Sequence, residues 1–267
     1  QDYIAPLKGE PNWGYTPAYF LSARFNLHRN YAEHYLKKGD LTIRDINHIL
    51  ARFDDDKKTA FDATYADSVY EDYKSNRIDD SESRAELYRL LSGKKVLLIA
   101  PGASILTYEA KIKEFIKQEN PVVISINFVP ESYLIDFAFF SNNKRFSNLE
   151  NISCKTIITS NLIGKIADYK IDYNSLSGAF DQGCNSFIMI LKLLKEMDTK
   201  AIYATGADGY TENGKNYYTT SIRTYTEHGN KFNLAVANAI RNLDVRIAFL
   251  TPSAYDTEEE GKQWSLN

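Results

Sequence analysis

The chain has 267 residues, enough for one large domain or two smaller ones with ample core. Its 43% hydrophobic and 25% charged content is ordinary for a globular protein. A net charge of −3 argues against a nucleic-acid partner, and no apolar run approaches the roughly 20 residues that a transmembrane helix requires.

The opening QDYIAPLKGEPNWGY carries neither a signal-peptide pattern nor an initiating Met, so the expectation is a fragment or processed chain that has lost a preceding domain. PAYFLSARFNL then reads as a helix with Pro17 in its first turn. Asn30 is placed to cap YAEHYLKKG, which stops at Gly39. Thr42 and Asp45 resemble a capping box before IRDINHILARF. KKTAFDATYADSVYEDYKS and SESRAELYRLLSG complete a helical stretch, with the Asp54–Asp56 run at a solvated helix start.

From Lys94 the pattern changes. KKVLLIAPG, PVVISIN, DFAFFSNN, KTIITSN, AIYATGAD and VRIAFLTP are short apolar runs ending in turn residues. Amphipathic or apolar helical patterns lie between them, in ILTYEAKIKEFIKQEN, CNSFIMILKLLKEM and KFNLAVANAIRNL. Strands apolar throughout and separated by helices indicate a parallel sheet covered on both faces. The expected fold is α/β: a Rossmann-like, mostly parallel sheet over 94–267, preceded by an α-helical docking or linker domain over 1–93. The tail YDTEEEGKQWSLN reads as a surface segment. Cys154 and Cys184 form no C-x-x-C pair and read as buried free thiols in a reducing compartment.

Ligands of open parallel sheets bind beyond the carboxyl ends of the strands. Those ends carry Gly102 and Ser104, then Asn127, then Ser141, Asn142 and Asn143, and finally GADGY with Asp208. The first turn lacks the lysine of a Walker motif and is not G-x-G-x-x-G. Amides and hydroxyls gathered at one edge suit a nucleotide's base and ribose better than a metal. His28, His34 and His48 have no ligand spacing, and Asp208 has no second acid two positions away, so no metal site is expected. The segment TGADGYTENGKNYYTTSIRTYTEH is rich in phenols, in a chain with 19 tyrosines, and ends at His228. An imidazole at that edge can take a proton from an incoming hydroxyl at neutral pH.

Taken together, these segments resemble the bacterial sialyltransferases of glycosyltransferase family 42 over roughly residues 94–255. LIAPGASI stands where that family has GxGPS, with Ala100 for the first glycine and Ala103 for the proline. ISINF, SNN, DQGCNSF, GADGYTENGKNYY and HGNKFNLAVANAIRNLDVRIAFLTPS follow in the family's order. The resemblance implies inverting transfer of a sugar acid from a CMP-sugar donor to a glycan acceptor, without a metal or other cofactor. His228 is then the general base, and Tyr210 with Tyr217 or Tyr218 supports the departing phosphate. Gly102, Ser104, Asn127, Ser141, Asn142, Gly183 and Asp208 hold the nucleotide.

WGYTPAYFLSARFNLHRNYAEHYL is similar to the helical region after the barrel in oxovalerate-aldolase-like (HMGL-like) proteins. That implies an aldolase domain or subunit as partner, in a polysaccharide-building fusion. The expected location is cytoplasmic, with the membrane periphery as an alternative. A second functional reading is a non-catalytic nucleotide- or glycan-binding module that tethers or regulates the aldolase. A third, resembling archaeal-type pterin diphosphokinases, needs acids for a divalent ion that the sequence does not offer.

Overall fold

The structure, a computed structural model, describes residues 26–39, 41, 43–53, 60–75, 78–147, 152–177, 185–211, 217–219 and 229–256. Its centre is a seven-stranded sheet, parallel at every pairing. The strands are β1 (Lys95–Ile99), β2 (Val122–Ile126), β3 (Phe137–Phe140), β4 (Lys155–Thr159), β5 (Tyr169–Ile171), β6 (Ala201–Thr205) and β7 (Ile247–Phe249). They lie in the order β5-β4-β3-β2-β1-β6-β7. The chain thus builds outward from β1 in one direction, then returns to add β6 and β7 on the other side. This reversal puts the topological switch between β1 and β6, where doubly wound sheets place their ligands.

The sheet is Rossmann-like because both of its faces are covered. Alternate residues of β1 serve two cores, Val96 and Leu98 in one and Leu97 and Ile99 in the other. On the first face packs α9 (Ser186–Glu196), in which Phe187, Ile188, Met189, Ile190, Leu191, Leu193 and Leu194 are all buried. α10 (Gly229–Asn242) joins it through Val236, Ala239 and Ile240. The second face is covered by Ile105 of α5 (Ser104–Thr107) and Ile112 of α6 (Glu109–Glu119). The helical run after β1 therefore breaks once, at Tyr108, whose φ of −108° and ψ of 22° leave the helical region.

Three earlier helices, α1 (Asn26–Leu36), α2 (Ile43–Ala51) and α3 (Ala63–Ser75), share a separate aromatic core of Tyr31, Tyr35, Ile46, Ile49, Leu50, Phe53, Ala66 and Val69. Buried phenols there keep their hydroxyls bonded: Tyr31 donates to the Ala60 carbonyl and Tyr35 to that of Ala66, each at 2.9 Å. α4 (Ser81–Leu91) behaves differently, since Leu87 and Leu91 enter the sheet's core. Asn30 lies inside α1 and is not its cap. Thr42 and Asp54–Asp56 fall outside the described residues, as do Pro17 and the segment around it.

The sequence pattern misses β5, a three-residue edge strand that pairs with β4 through Ile157, Ile158 and Thr159 and leads into the short α8 (Tyr173–Leu176). No described helix is long and apolar enough to cross a membrane. Cys154 is half-buried against apolar side chains, and burial pushes its thiol up from the ordinary range. Cys184 lies outside the described residues.

Candidate functional site

The carboxyl ends of β1 and β6 stay zipped past the sheet, with Ala100 N donating to Thr205 O at 2.9 Å and Gly102 N to Gly206 O at 2.8 Å. Such close approach needs glycine. A Cβ on Gly102 would meet Gly206 O at 2.3 Å and Asp208 Cγ at 2.4 Å. Gly206 has φ of +67°, and a Cβ there would lie 2.1 Å from Ala100 O.

Asp208 then reaches back into the first βα turn. Its carboxylate accepts the Ser104 amide at 2.9 Å and also the Ser104 hydroxyl. Thr251 Oγ1 stands 3.0 Å from Ser104 Oγ and takes the Gly206 amide at 3.1 Å. Burial pushes the Asp208 carboxyl up from the usual carboxylate range, while the Ser104 hydroxyl and the amides of Ser104 and Ala103 pull it back. The amide of Ser104, a residue expected to hold the nucleotide, is thus held by a carboxylate of the chain itself. Ser104 therefore ties the two halves of the switch together.

Beyond this tie opens a cleft lined by Gly102, Asn127, Asn142, Asp208, Tyr210 and Tyr217 among the residues expected from sequence. Ser141 stands just behind it. Asn127 directly follows β2 at φ of +59°, a conformation asparagine tolerates better than most residues. Its Nδ2 donates to Ser186 Oγ at 2.5 Å, and its Oδ1 accepts the Ser141 amide at 3.1 Å. Ser141 Oγ and Ser186 Oγ are 2.5 Å apart. Asn142 Oδ1 accepts the Arg145 amide at 3.1 Å, at the start of α7 (Asn143–Ser147).

The phenols come from the segment after β6. Gly209, at φ of +92°, turns the chain so that Tyr210 is clamped by Asn233 of α10, its N–H donating to Asn233 Oδ1 at 2.7 Å and its carbonyl accepting from Nδ2 at 3.0 Å. Tyr217 forms an antiparallel bridge with Gly102, and Tyr218 N donates to Pro101 O at 2.8 Å. The two tyrosines separate here. Tyr217 lines the cleft, whereas the Tyr218 ring lies 5.7 Å from Phe128 and packs on the apolar core of the second face.

Four liners with polar or charged side chains, Arg145, Asn185, Ser186 and Tyr255, are not among the site residues expected from sequence. Asn185 had a legible signal, since it precedes an apolar helical run. Its Oδ1 caps α9 by accepting the amides of Phe187 at 2.9 Å and Ile188 at 3.3 Å, and its Nδ2 donates to Tyr210 Oη at 3.3 Å. Tyr255 corrects the reading of its segment as surface: it is 8% exposed and packs 5.8 Å from Phe187. Burial, then the neighbouring Tyr210, Tyr217 and Asp208, holds its phenol well above the ordinary value, so it stays a neutral donor. Among the described liners Arg145 is the sole cation and Asp208 the sole anion.

His228 and Gly183 lie outside the described residues. Gly229, which opens α10, sits against Tyr210, whose carbonyl oxygen would be 2.8 Å from a Cβ at that position. Of the earlier histidines, His34 Nε2 is 2.9 Å from Asp67 Oδ1 and His48 is buried, while the His28 side chain is outside the described set. No model of a known protein family matches the chain. No curated protein matches it in sequence either.

Proposed function

We propose that the protein is a metal-independent inverting glycosyltransferase that moves a sialic-acid-like sugar acid from a CMP-sugar to a glycan hydroxyl. The observation that carries this reading is the convergence of Asn127, Asn142, Asn185, Arg145, Tyr210 and Tyr217 on one cleft at the switch between β1 and β6. Amides and hydroxyls fixed by their own hydrogen bonds suit the polar edges of a base and ribose. Phenols and a guanidinium suit a phosphate that gains negative charge as it leaves.

In this mechanism the acceptor oxygen bonds to the anomeric carbon as the carbon–oxygen bond to phosphate breaks, and CMP departs with the electron pair. His228 receives the acceptor's proton; the position of Gly229 against Tyr210 supports that role. Tyr217 and Tyr210 donate to the phosphate, and Arg145 balances its charge. Asp208 acts as a positioning residue that holds the switch in shape through Ser104. An aldolase partner and a cytoplasmic site of action complete the proposal.

A transfer assay with a CMP-sugar donor tests it. Tyr217→Phe lowers kcat roughly a hundredfold, as loss of one donor to developing charge does elsewhere, while Tyr218→Phe leaves turnover near the parent rate. Equal losses in both would undo the phenol assignment, and a folded His228→Ala variant with parental turnover would remove the base.

The Asp208 carboxylate on the Ser104 amide and hydroxyl favours a second reading, a module that binds nucleotide or glycan without transfer and tethers an aldolase. Nucleotide binding without turnover under any donor would establish it.

A further inference from the structure

Tyr255 enters the cleft at the strand switch from the turn after β7, and no step of the proposed transfer uses it. Its place is fixed by its neighbours in that turn. Ser253 Oγ donates to Ala207 O at 2.5 Å and accepts the Tyr255 amide at 3.1 Å, while Ala254 N donates to Asp208 O at 3.3 Å. The turn after β7 is thereby stitched to the turn after β6, which leads into Tyr210. The Tyr255 ring belongs to the apolar core of the first face, 5.8 Å from Phe187.

The hydroxyl is a different matter. It makes no hydrogen bond with any described residue, yet it is not among the fully enclosed polar atoms. A core position beside Phe187 and Phe249 asks only for a ring, which phenylalanine would supply. A buried phenol ordinarily has a partner for its O–H. Here the oxygen faces the cleft that Tyr255 lines, where solvent serves it until a ligand oxygen takes the place of water. That ligand atom must accept, because burial, then Tyr210, Tyr217 and Asp208, keeps the phenol protonated. Tyr210 and Tyr217 reach the same cleft from the segment after β6, and Arg145 brings a guanidinium to it. Donors arriving from separate turns suit a tetrahedral group with several anionic oxygens better than the flat edge of a base.

We infer that the Tyr255 hydroxyl joins Tyr210 and Tyr217 as a phenol donor to the phosphate of the bound nucleotide. The inference rests on the transferase reading of the cleft, in which that phosphate departs with CMP. Tyr255→Phe removes the oxygen and keeps the ring. CMP and cytidine are titrated calorimetrically into the parent chain and into this variant, and the thermal midpoint of each is measured without ligand. CMP binds the variant about tenfold or more weakly, the loss expected for a hydrogen bond to a charged group, whereas cytidine behaves alike with both chains. The midpoint of the free variant does not fall, since the missing hydroxyl had no partner in the protein. A lowered midpoint with unchanged CMP affinity would make the hydroxyl structural and overturn the inference. Equal CMP affinity in the two chains, or a loss as large for cytidine as for CMP, would overturn it too and leave the transferase reading standing. Failure of the parent chain to bind CMP would bring down that reading, and the inference with it.

Discussion

Asp208 satisfies the first turn of α5 from outside that helix, taking the Ser104 amide at 2.9 Å together with the Ser104 hydroxyl. Removing it leaves the half-buried Ser104 amide without its acceptor, which costs more than the bond itself is worth, while the Ser104 hydroxyl keeps Thr251 Oγ1 as a partner. Asp208→Ala therefore lowers unfolding free energy by about 1–3 kcal/mol in urea, and Asp208→Asn, which still accepts from the amide, loses less. An unchanged urea midpoint in Asp208→Ala would show that the tie carries no stability. Asn185 holds two amides of α9 and also the Tyr210 hydroxyl. Asn185→Ala is expected to cost about 1 kcal/mol as a lost helix cap, and in the same protein to loosen Tyr210 and weaken nucleotide binding. A stability loss with unaltered binding would confine Asn185 to capping.

Among the elements, the central strands were legible because KVLLI, VVISI, FAFF and KTIIT are apolar on both faces, and only a doubly covered sheet uses such runs. β5 was not, since YKI is three residues long at a sheet edge and carries no period to read. The site divides along the same line. Residues at strand ends, such as Asn127 and Asn142, follow from knowing where the strands stop. Arg145 and Tyr255 do not, because a short helix after β3 and a turn after β7 bring them to the cleft through tertiary packing. Tyr217 and Tyr218 could not be told apart by position in sequence; a bridge to Gly102 decides which phenol faces the cleft. The zipped ends of β1 and β6 give a test at this scale. Gly102→Ala forces a Cβ onto Gly206 O and Asp208 Cγ, so a stability loss of about 1–3 kcal/mol or more is expected in chemical unfolding. A variant as stable as the parent would mean that the two turns are free to part.

Across the whole molecule, the helical layer meets the sheet through a buried polar seam. His48 lies 3.4 Å from Ser160 Oγ and 5.0 Å, ring to ring, from Tyr173, while Asn161 Nδ2 donates to Ala51 O at 3.3 Å. Burial first, then the Arg52 charge, lowers the His48 pKa to about 3, against the opposing effects of Asn174 and Asp45. The unfolded chain therefore binds a proton near pH 6.5 that the folded chain refuses until about 3. Stability from this group is complete above pH 6.5 and is lost as pH falls from there toward 3, with a slope of at most about 1.4 kcal/mol per pH unit. His48→Leu flattens that limb of the stability curve; an identical slope in the variant would assign the acid sensitivity elsewhere.

The central claim concerns the cleft where amides, phenols and Arg145 meet at the reversal of strand order. Calorimetric titration of the chain with CMP, UDP and GDP tests it most directly. Saturable binding of CMP in preference to the other two, weakened by Asn127→Ala and by Arg145→Ala, is the expected result. No heat with CMP, or binding that neither substitution alters, would contradict it.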